Sequence, residues 1–278
     1  MKKINTKTKK KGDKKMKKAI TKAICILLLI NIFIPVLNAA AAEEFHWYCK
    51  RNKEHKQPTL DTNMRFIEDL GGYYVDKKHG DDCEEKVIYL TFDLGYENGN
   101  VEKIMDVMKT EDVKGAFFVL GNVIERNPEL VKRMNDEGHL VCNHTTSHKN
   151  LVGASKEKFT EELTTLEKMY KDLTGKDLSK YYRPPEGTFD KTMLEYASEL
   201  GYRTVFWSFA YANWDNNKQM SEEAALDKIL SNIHNGEIML LHPTSQTNAK
   251  IMERLIKELK SQGYRFGTLD ELTSDAQM

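Results

Sequence analysis

The 278-residue sequence contains only four cysteines, and their spacing does not match a zinc knuckle. Cys25 lies in an N-terminal apolar segment without the small-residue motif that precedes a lipid-attachment site, so it is expected to be an ordinary apolar residue. Cys49 and Cys83 lie on either side of a polar segment and could pair in an oxidising compartment. Cys142 follows Val141 in an apolar run and is expected to be a buried thiol. The cysteines therefore predict at most one disulfide.

The sequence also lacks an excess of positive charge. It has 42 basic and 42 acidic residues, but residues 1–42 hold eleven Lys and a single Asp. The remaining chain therefore has 31 basic and 41 acidic residues, a net charge of about −10. A chain this acidic is a poor candidate for binding nucleic acid.

Long apolar runs are absent except near the N-terminus, where Ala23 to Leu37 is rich in Ile and Leu. Asn31 and Pro35 interrupt this run, which is short for a span of about 20 residues. A Lys-rich start precedes it and four alanines follow at 39–42, a pattern that predicts a cleaved signal peptide over residues 1–42. An uncleaved anchor helix is the alternative, and Met16 could be the true start. In both cases we expect a protein that is secreted or held on the outer face of the membrane.

After the signal, residues 43–85 are mixed in character, with Trp47 as the expected anchor of an N-terminal arm and a short helix near 64–70. The rest of the chain alternates regularly between strand and helix patterns. We expect one domain over residues 86–271 and a short tail over residues 272–278. The predicted strands are 87–96, 115–120, 139–142, 181–182, 202–207, 237–241 and 265–269, and the predicted helices cover 101–110, 128–138, 155–175, a segment ending at 200, 221–236 and 249–262.

Turn and cap residues support this alternation. Asn100 is expected to cap the first helix and Asn127 the next, where Pro128 takes the first helical position. Glycines stand where a left-handed residue would end a helix and lead into the next strand, at positions 138, 201, 236 and 263. About seven strand–helix units in series predict an α/β fold with a parallel sheet, either open and doubly wound or closed into a barrel.

Polar residues follow several of the predicted strands. They are Asp93, His144, His148, Arg183, Trp214 and His242. Each one alone could be a turn, cap or ion-pair residue. Because the carboxyl ends of parallel strands meet on one face of such a fold, however, we expect them to converge.

The chemistry that these residues suit is metal-assisted hydrolysis. His144 and His148 stand one helical turn apart in sequence, a spacing that lets both imidazoles address one divalent ion. Asp93 could then take the proton of the attacking water, and His242 could protonate the departing group. Arg183 could hold Asp93 ionised and oriented. A glycosidase is less well supported, since it needs paired carboxylates and the strand ends supply only Asp93 with certainty.

In their order along the chain, these residues form five motifs that resemble those of the NodB-type polysaccharide deacetylases, carbohydrate esterase family four. The motifs are Thr91-Phe92-Asp93-x-Gly95, His144-Thr-x-x-His148, Arg183-Pro184-Pro185-x-Gly187, the segment from Trp207 to Trp214, and Leu240-Leu241-His242. The resemblance implies a distorted (β/α) barrel with about seven parallel strands. It also implies catalytic roles for Asp93, His242 and Arg183, metal binding by His144 and His148, and a sugar site lined by Tyr96, Pro185, Trp214 and Leu240.

A finer match points to one subgroup of this family. Tyr96-Glu97-Asn98-Gly99, Thr204 to Ser208, Asn213-Trp214-Asp215 and His46-Trp47 resemble the delta-lactam-biosynthetic de-N-acetylases of the spore cortex. That resemblance implies removal of the N-acetyl group from muramic acid in peptidoglycan, after which the amine condenses with the lactyl carboxylate.

Two departures from the family pattern concern the catalytic machinery. Leu94 stands where the family carries a second acid that binds the metal, so a zinc-like ion is expected to bind weakly. Ala210 and Asn213 stand where the family carries acids, one of which orients the acidic histidine, and Asp215 is a candidate substitute.

Three functional hypotheses remain open from the sequence. The leading one is a muramic acid deacetylase that acts on peptidoglycan strands, functionally coupled to a muramoyl amidase and acting as a monomer. In it, Tyr96 and Trp214 stack on the sugar, and Arg183 or a neighbouring Lys binds the lactate. The second is an N-acetylglucosamine deacetylase of peptidoglycan or chitin-like glycans. The third is a wall-binding module on a catalytically decayed barrel.

Overall fold

The computed structural model describes residues 42–274. Its strands are β1 (Phe45–His46), β2 (Lys86–Leu94), β3 (Ala116–Val119), β4 (Leu140–Asn143), β5 (Ser179–Tyr182), β6 (Thr188–Phe189), β7 (Arg203–Thr204), β8 (Phe209–Ala210), β9 (Glu237–Leu241) and β10 (Tyr264–Phe266). Its helices are α1 (Phe66–Asp69), α2 (Asn100–Thr110), α3 (Gly121–Arg126), α4 (Pro128–Asp136), α5 (Lys156–Thr174), α6 (Lys191–Glu199), α7 (Glu222–Leu230), α8 (Gln246–Ser261) and α9 (Leu269–Leu272).

The main sheet is parallel throughout. Its strands follow the order β7-β5-β4-β3-β2-β9-β8, and β10 pairs with the first part of β2. The path from β7 to β8 contains seven strands with helices between them, which confirms the expected (β/α) fold and excludes the doubly wound alternative. The longest strand, β2, lies centrally between β3 and β9, so its C-terminal end, with Asp93, lies in the middle of the sheet edge.

Alternation along β2 separates two apolar layers. Leu90, Phe92 and Leu94 belong to a core cluster that also contains residues of α2, α4 and α8. Tyr89 belongs to the second cluster, which contains residues of the arm, α5 and α6. Because successive side chains of a strand point to opposite faces, Asp93 lies on the Tyr89 face, inside the curled sheet. Leu94 lies on the helix face.

The N-terminal arm fills the gap between the two outermost strands of the sheet. The backbone of Tyr73 bonds to that of Thr204 and Phe206 beside β7, and β1 pairs antiparallel with β6. Trp47 is the buried anchor, as the sequence predicts: its ring lies 4.6 Å from that of Phe206, and its Nε1 donates to the Trp207 carbonyl at 2.9 Å. The arm is therefore part of the wall beneath the strand ends.

Several predicted elements differ from the observed ones. The predicted strand 202–207 is divided: Arg203–Thr204 pairs with β5, whereas Phe209–Ala210, which the sequence did not reveal, pairs with β9. Asn100 is the first residue of α2 rather than its cap, and Gly99 takes the cap position with a φ of 85°. The side chain of Asn100 instead donates to the Thr244 carbonyl.

Gly236 also differs from its predicted role. Helix α7 ends at Leu230, so Gly236 does not terminate it. Its φ of 69° and the neighbouring backbone explain the glycine better: a Cβ there would lie 2.4 Å from the Asp76 carbonyl oxygen of the arm. A residue without a side chain is needed for the arm to approach the start of β9.

The described residues contain no helix that is both long and apolar enough to span a membrane. The predicted signal peptide and Cys25 lie outside them, except for Ala42. Cys49, Cys83 and Cys142 are free thiols, so the suggested pairing of Cys49 with Cys83 is not present; Cys142 is buried as expected.

Candidate active site

The strand ends bring the predicted polar residues to one edge of the sheet. Asp93 is the second-to-last residue of β2. His144 directly follows β4, Arg183 directly follows β5, and His242 directly follows β9. They border or underlie a cleft of about 770 Å³. The sequence prediction that these side chains converge is therefore confirmed by their positions.

Arg183 is the fully buried member of this group. It has no exposed surface, and every nitrogen of its guanidinium is engaged. Nη1 donates to Asp93 Oδ1 at 2.8 Å, Nε donates to the Val205 carbonyl at 2.8 Å, and Nη2 donates to Thr91 Oγ1 and the Phe206 carbonyl. The expectation that Arg183 orients Asp93 agrees with this geometry. The expectation that it could bind a substrate lactate is wrong, because the side chain is completely buried.

The Asp93 carboxylate is stabilised in its ionised form. Burial alone would raise its pKa, but the Arg183 guanidinium, with smaller contributions from His144 and His242, holds the pKa below its usual value. An acid with this pKa is ionised at neutral pH and can accept a proton from a water.

His144 presents one defined nitrogen toward Asp93. Its Nδ1 lies 2.9 Å from the Arg183 carbonyl oxygen, which can only accept, so Nδ1 carries the proton. Nε2 is then unprotonated and lies 3.7 Å from Asp93 Oδ2. Burial lowers the pKa of His144 to about 4. The ring is therefore neutral near pH 7, the form that binds a metal ion.

His148 reaches the site through an irregular loop rather than a helix. Thr145 and His148 both have positive φ, 72° and 58°. Asn143 Oδ1 accepts the Thr145 N–H, Thr145 Oγ1 accepts the His148 N–H, and Glu162 accepts the N–H and hydroxyl of Ser147. This network places the two imidazole rings 5.0 Å apart, so the two histidines are neighbours as predicted, although they do not lie on a helix.

His242 is oriented by Asn213, not by Asp215. Asn213 Oδ1 accepts the backbone N–H of His242 at 3.1 Å, which identifies this atom as the amide oxygen. The same oxygen lies 2.7 Å from His242 Nδ1, so Nδ1 is the donor and Nε2 is left for the cleft. The carboxylate of Asp215 instead accepts the N–H of Asn217 and lies near Lys218. The suggested substitution by Asp215 is therefore wrong.

Because Asn213 is an amide, the hydrogen-bond partner of the His242 ring carries no charge. Burial lowers its pKa, Arg183 and His148 lower it further, and Asp93 only partly opposes them. We expect Asn213→Asp to raise this pKa, because a carboxylate within hydrogen-bond distance stabilises the imidazolium. If His242 acts as an acid, the high-pH limb of the kcat profile then moves up by about 1 pH unit or more.

The measurement is the pH dependence of kcat for the wild type, Asn213→Asp and Asp215→Asn. Asp215 does not contact His242, so its substitution should leave the limb in place. A limb that is unmoved in Asn213→Asp would contradict the assigned role of His242.

The cleft walls carry the aromatic residues expected to hold a sugar. Tyr96 and Trp214 are 48% and 60% exposed, and Trp214 lies edge-on to His242 with ring centroids 5.9 Å apart. Asn216 Nδ2 donates to Tyr96 Oη, which ties the two sides of the rim together. Leu240 lines the cleft as expected, whereas Pro185 is buried and does not.

Sequence reasoning missed some residues that line the cleft, among them Glu186, Tyr211 and Thr244. Glu186 is exposed and has a φ of 58°, a strained conformation for a residue other than glycine. The unassigned position between Pro185 and Gly187 in the third motif was the available signal for it.

Comparison with known proteins is consistent with this geometry. Residues 80–205 match the family model "Polysaccharide deacetylase". The chain is 39% identical over 256 residues to peptidoglycan-N-acetylmuramic acid deacetylase PdaA of Bacillus subtilis, which covers 91% of this chain and 95% of that protein. It is 40% identical over 253 residues to an uncharacterized 30.6 kDa protein of Geobacillus stearothermophilus, which covers 90% and 94%. The solved structure of B. subtilis PdaA, described as a family 4 carbohydrate esterase, superposes with a TM-score of 0.79 over 84% of this chain and 99% of that chain, at 38% identity.

Proposed function

The chain belongs to the polysaccharide deacetylase family, and from this premise we propose that it removes the N-acetyl group from N-acetylmuramic acid in peptidoglycan. The observation that carries the proposal is that Asp93, His144 and His242 border one cleft and that the buried Arg183 bonds Asp93, in a chain similar along nearly its whole length to a deacetylase of that substrate. A wall-binding module would need no such set of a base, an acid and a buried arginine.

The site residues divide the reaction between them. Asp93 accepts a proton from a water whose oxygen attacks the acetyl carbonyl carbon. Arg183 holds the Asp93 carboxylate at 2.8 Å and keeps it ionised. His242 Nε2 donates a proton to the nitrogen as the carbon–nitrogen bond breaks, which gives acetate and a free amine. Tyr96 and Trp214 stack on the sugar and hold the acetamido group between base and acid.

Deacetylases of this family generally depend on a divalent metal. His144 and His148 would hold the ion, which when bound would polarise the acetyl carbonyl and acidify the water. The residues fit a metal ion only in part. Both rings border the cleft, and His144 Nε2 is unprotonated. Residues 42–274, however, contain no cluster of three or more His, Cys, Asp or Glu side chains arranged for a metal. The apolar side chain of Leu94 adds no ligand.

We therefore expect the ion to be weakly bound. Two imidazoles without a carboxylate neutralise less charge and supply fewer ligands, so a chelator should remove the metal readily. Metal analysis of the protein before and after dialysis against a chelator measures this directly. A stoichiometric ion that survives prolonged chelation of the wild type would contradict the expectation.

The substrate form we propose is muramic acid whose peptide stem has already been removed. A δ-lactam of the kind found in spore cortex needs a free lactyl carboxylate beside the new amine, and an intact stem occupies that carboxylate as an amide. The enzyme would then act after a muramoyl amidase, as an exported monomer at the cell wall or spore cortex.

The test is mass spectrometry of glycan strands treated with the enzyme, with and without prior amidase digestion. We expect the muramic residues to lose their acetyl group in the amidase-treated strands only. Equal deacetylation of both samples would contradict the requirement for stem removal. Acetate released mainly from N-acetylglucosamine would instead identify the second candidate substrate.

A further inference from the structure

The proposed substrate carries a carboxylate, whereas the protein beyond residue 42 carries a net charge of about −10. The cleft itself is bordered by two carboxylates, Asp93 and Glu186. An anionic substrate would be repelled from such a surface unless a cation stood near the cleft. The following inference rests on the proposed function and concerns which cation this is.

Among residues 42–274, the Lys and Arg side chains that hydrogen-bond to a residue bordering the cleft are two. Arg183 is one of them, but it is fully buried and its donors are engaged by Asp93, Thr91 and two backbone carbonyls. The other is Arg51 of the N-terminal arm. Its Nη1 donates to the carbonyl oxygen of Ala210 at 3.1 Å, and Ala210 forms part of the cleft wall.

Arg51 has the properties of a cation that is available to a ligand. Its side chain is exposed, and no carboxylate of the described residues forms an ion pair with it. The bond from Nη1 to Ala210 holds the guanidinium in place, while Nε and Nη2 make no hydrogen bond within residues 42–274. A guanidinium anchored at one end and open at the other suits a planar carboxylate.

The arm keeps Arg51 at the edge strand of the cleft. Trp47 is fixed by bonds from its backbone N–H to the Gly187 carbonyl and from its ring to the Trp207 carbonyl. Cys49 then lies against the same Ala210 carbonyl that Arg51 bonds. The methyl side chain of Ala210 places no carboxylate beside the guanidinium, so its charge is not neutralised from within the protein.

We propose that Arg51 is a specificity-determining residue that pairs with the lactyl carboxylate of the peptide-free muramic acid. It lies outside the group that carries out the chemistry, so it acts on the binding of the substrate and not on the rate of bond cleavage. It thereby distinguishes muramic acid with a free lactate from N-acetylglucosamine, which has no carboxylate.

The test combines changes in the enzyme with changes in the substrate. One substrate is a set of glycan fragments with free lactyl carboxylates, and the other is the same set with those carboxylates converted to neutral methylamides. Arg51→Gln should lower kcat/KM on the free carboxylate about tenfold, mainly through KM, because one charged hydrogen-bonded pair is lost. On the methylamide, Arg51→Gln should equal the wild type. Arg51→Lys should retain part of the preference.

Lys53→Gln is the matched control. Lys53 is an exposed cation of the same arm and has no contact with the cleft, so its variant should resemble the wild type on both substrates. Melting temperatures establish that the variants are folded. If Arg51→Gln lowers kcat/KM by the same factor on both substrates, or behaves like Lys53→Gln on the free carboxylate, the role of Arg51 is refuted while the proposed function stands. A wild type that releases acetate from chitooligosaccharides but not from either muramic substrate overturns both.

Discussion

Asp93→Asn is expected to lower kcat by about 10³-fold, since the amide keeps the shape of the side chain but cannot take a proton from water. The assay is acetate release from amidase-treated glycan strands by purified enzyme. The variant should remain folded, because the amide oxygen can still accept the bond from Arg183 Nη1 that now measures 2.8 Å. Its melting temperature should nevertheless fall, since the buried guanidinium loses its counter-charge.

Asp112→Asn is the matched control for this substitution. Asp112 is exposed and has a φ of 50°, a conformation that Asn also tolerates well. The same chemical change there should leave both kcat and the melting temperature close to those of the wild type. A folded Asp93→Asn enzyme that releases acetate at the wild-type rate would show that another group is the base.

The positions of the main strands could be predicted because their information is local. The apolar run that ends at Asp93 forms the central strand, and Ser155 and Gly175 bound α5 as a capping residue and a left-handed glycine. Parallel strands also force their carboxyl ends to one edge. For that reason the grouping of Asp93, Arg183 and His242 followed from the sequence without knowledge of any distance.

The features that the sequence did not reveal depend on distant contacts. Strand β8 has only two residues, and it exists because Phe209 and Ala210 pair with β9. The role of Asn213 depends on the position of His242, 29 residues later. A reading of residue types favoured the carboxylate of Asp215, but the loop directs that side chain toward Asn217 and Lys218.

The contacts of the N-terminal arm also could not be predicted from the sequence, because they join distant segments. Composition marks residues 43–85 only as mixed, and the single clear signal was Trp47. In the structure, Tyr73 pairs with the backbone beside β7, and Arg51 and Cys49 contact the carbonyl of β8. These contacts join segments more than 130 residues apart, and local sequence patterns carry no information about such pairings.

Arg183→Lys is expected to lower kcat by about 100-fold or more and to destabilise the fold by about 3 kcal/mol. The guanidinium reaches Asp93, Thr91 and the carbonyls of Val205 and Phe206 from one planar group. A lysine has three donors on a single nitrogen and cannot reach all four acceptors. Buried carbonyls would then lose their partners, and Asp93 would lose the contact that orients it and lowers its pKa.

Arg133→Lys supplies the comparison for this last substitution. Arg133 is a partly exposed arginine that pairs with Asp106 and Glu137 at the surface, so the same change should cost less than about 1 kcal/mol and leave kcat unaltered. Chemical unfolding and acetate release, measured on both variants, separate the two cases. Equal stabilities and rates for Arg183→Lys and Arg133→Lys would mean that charge alone suffices at position 183. If the planar fork of the buried guanidinium holds both the strand ends and the catalytic carboxylate, only Arg183→Lys will lose stability and activity.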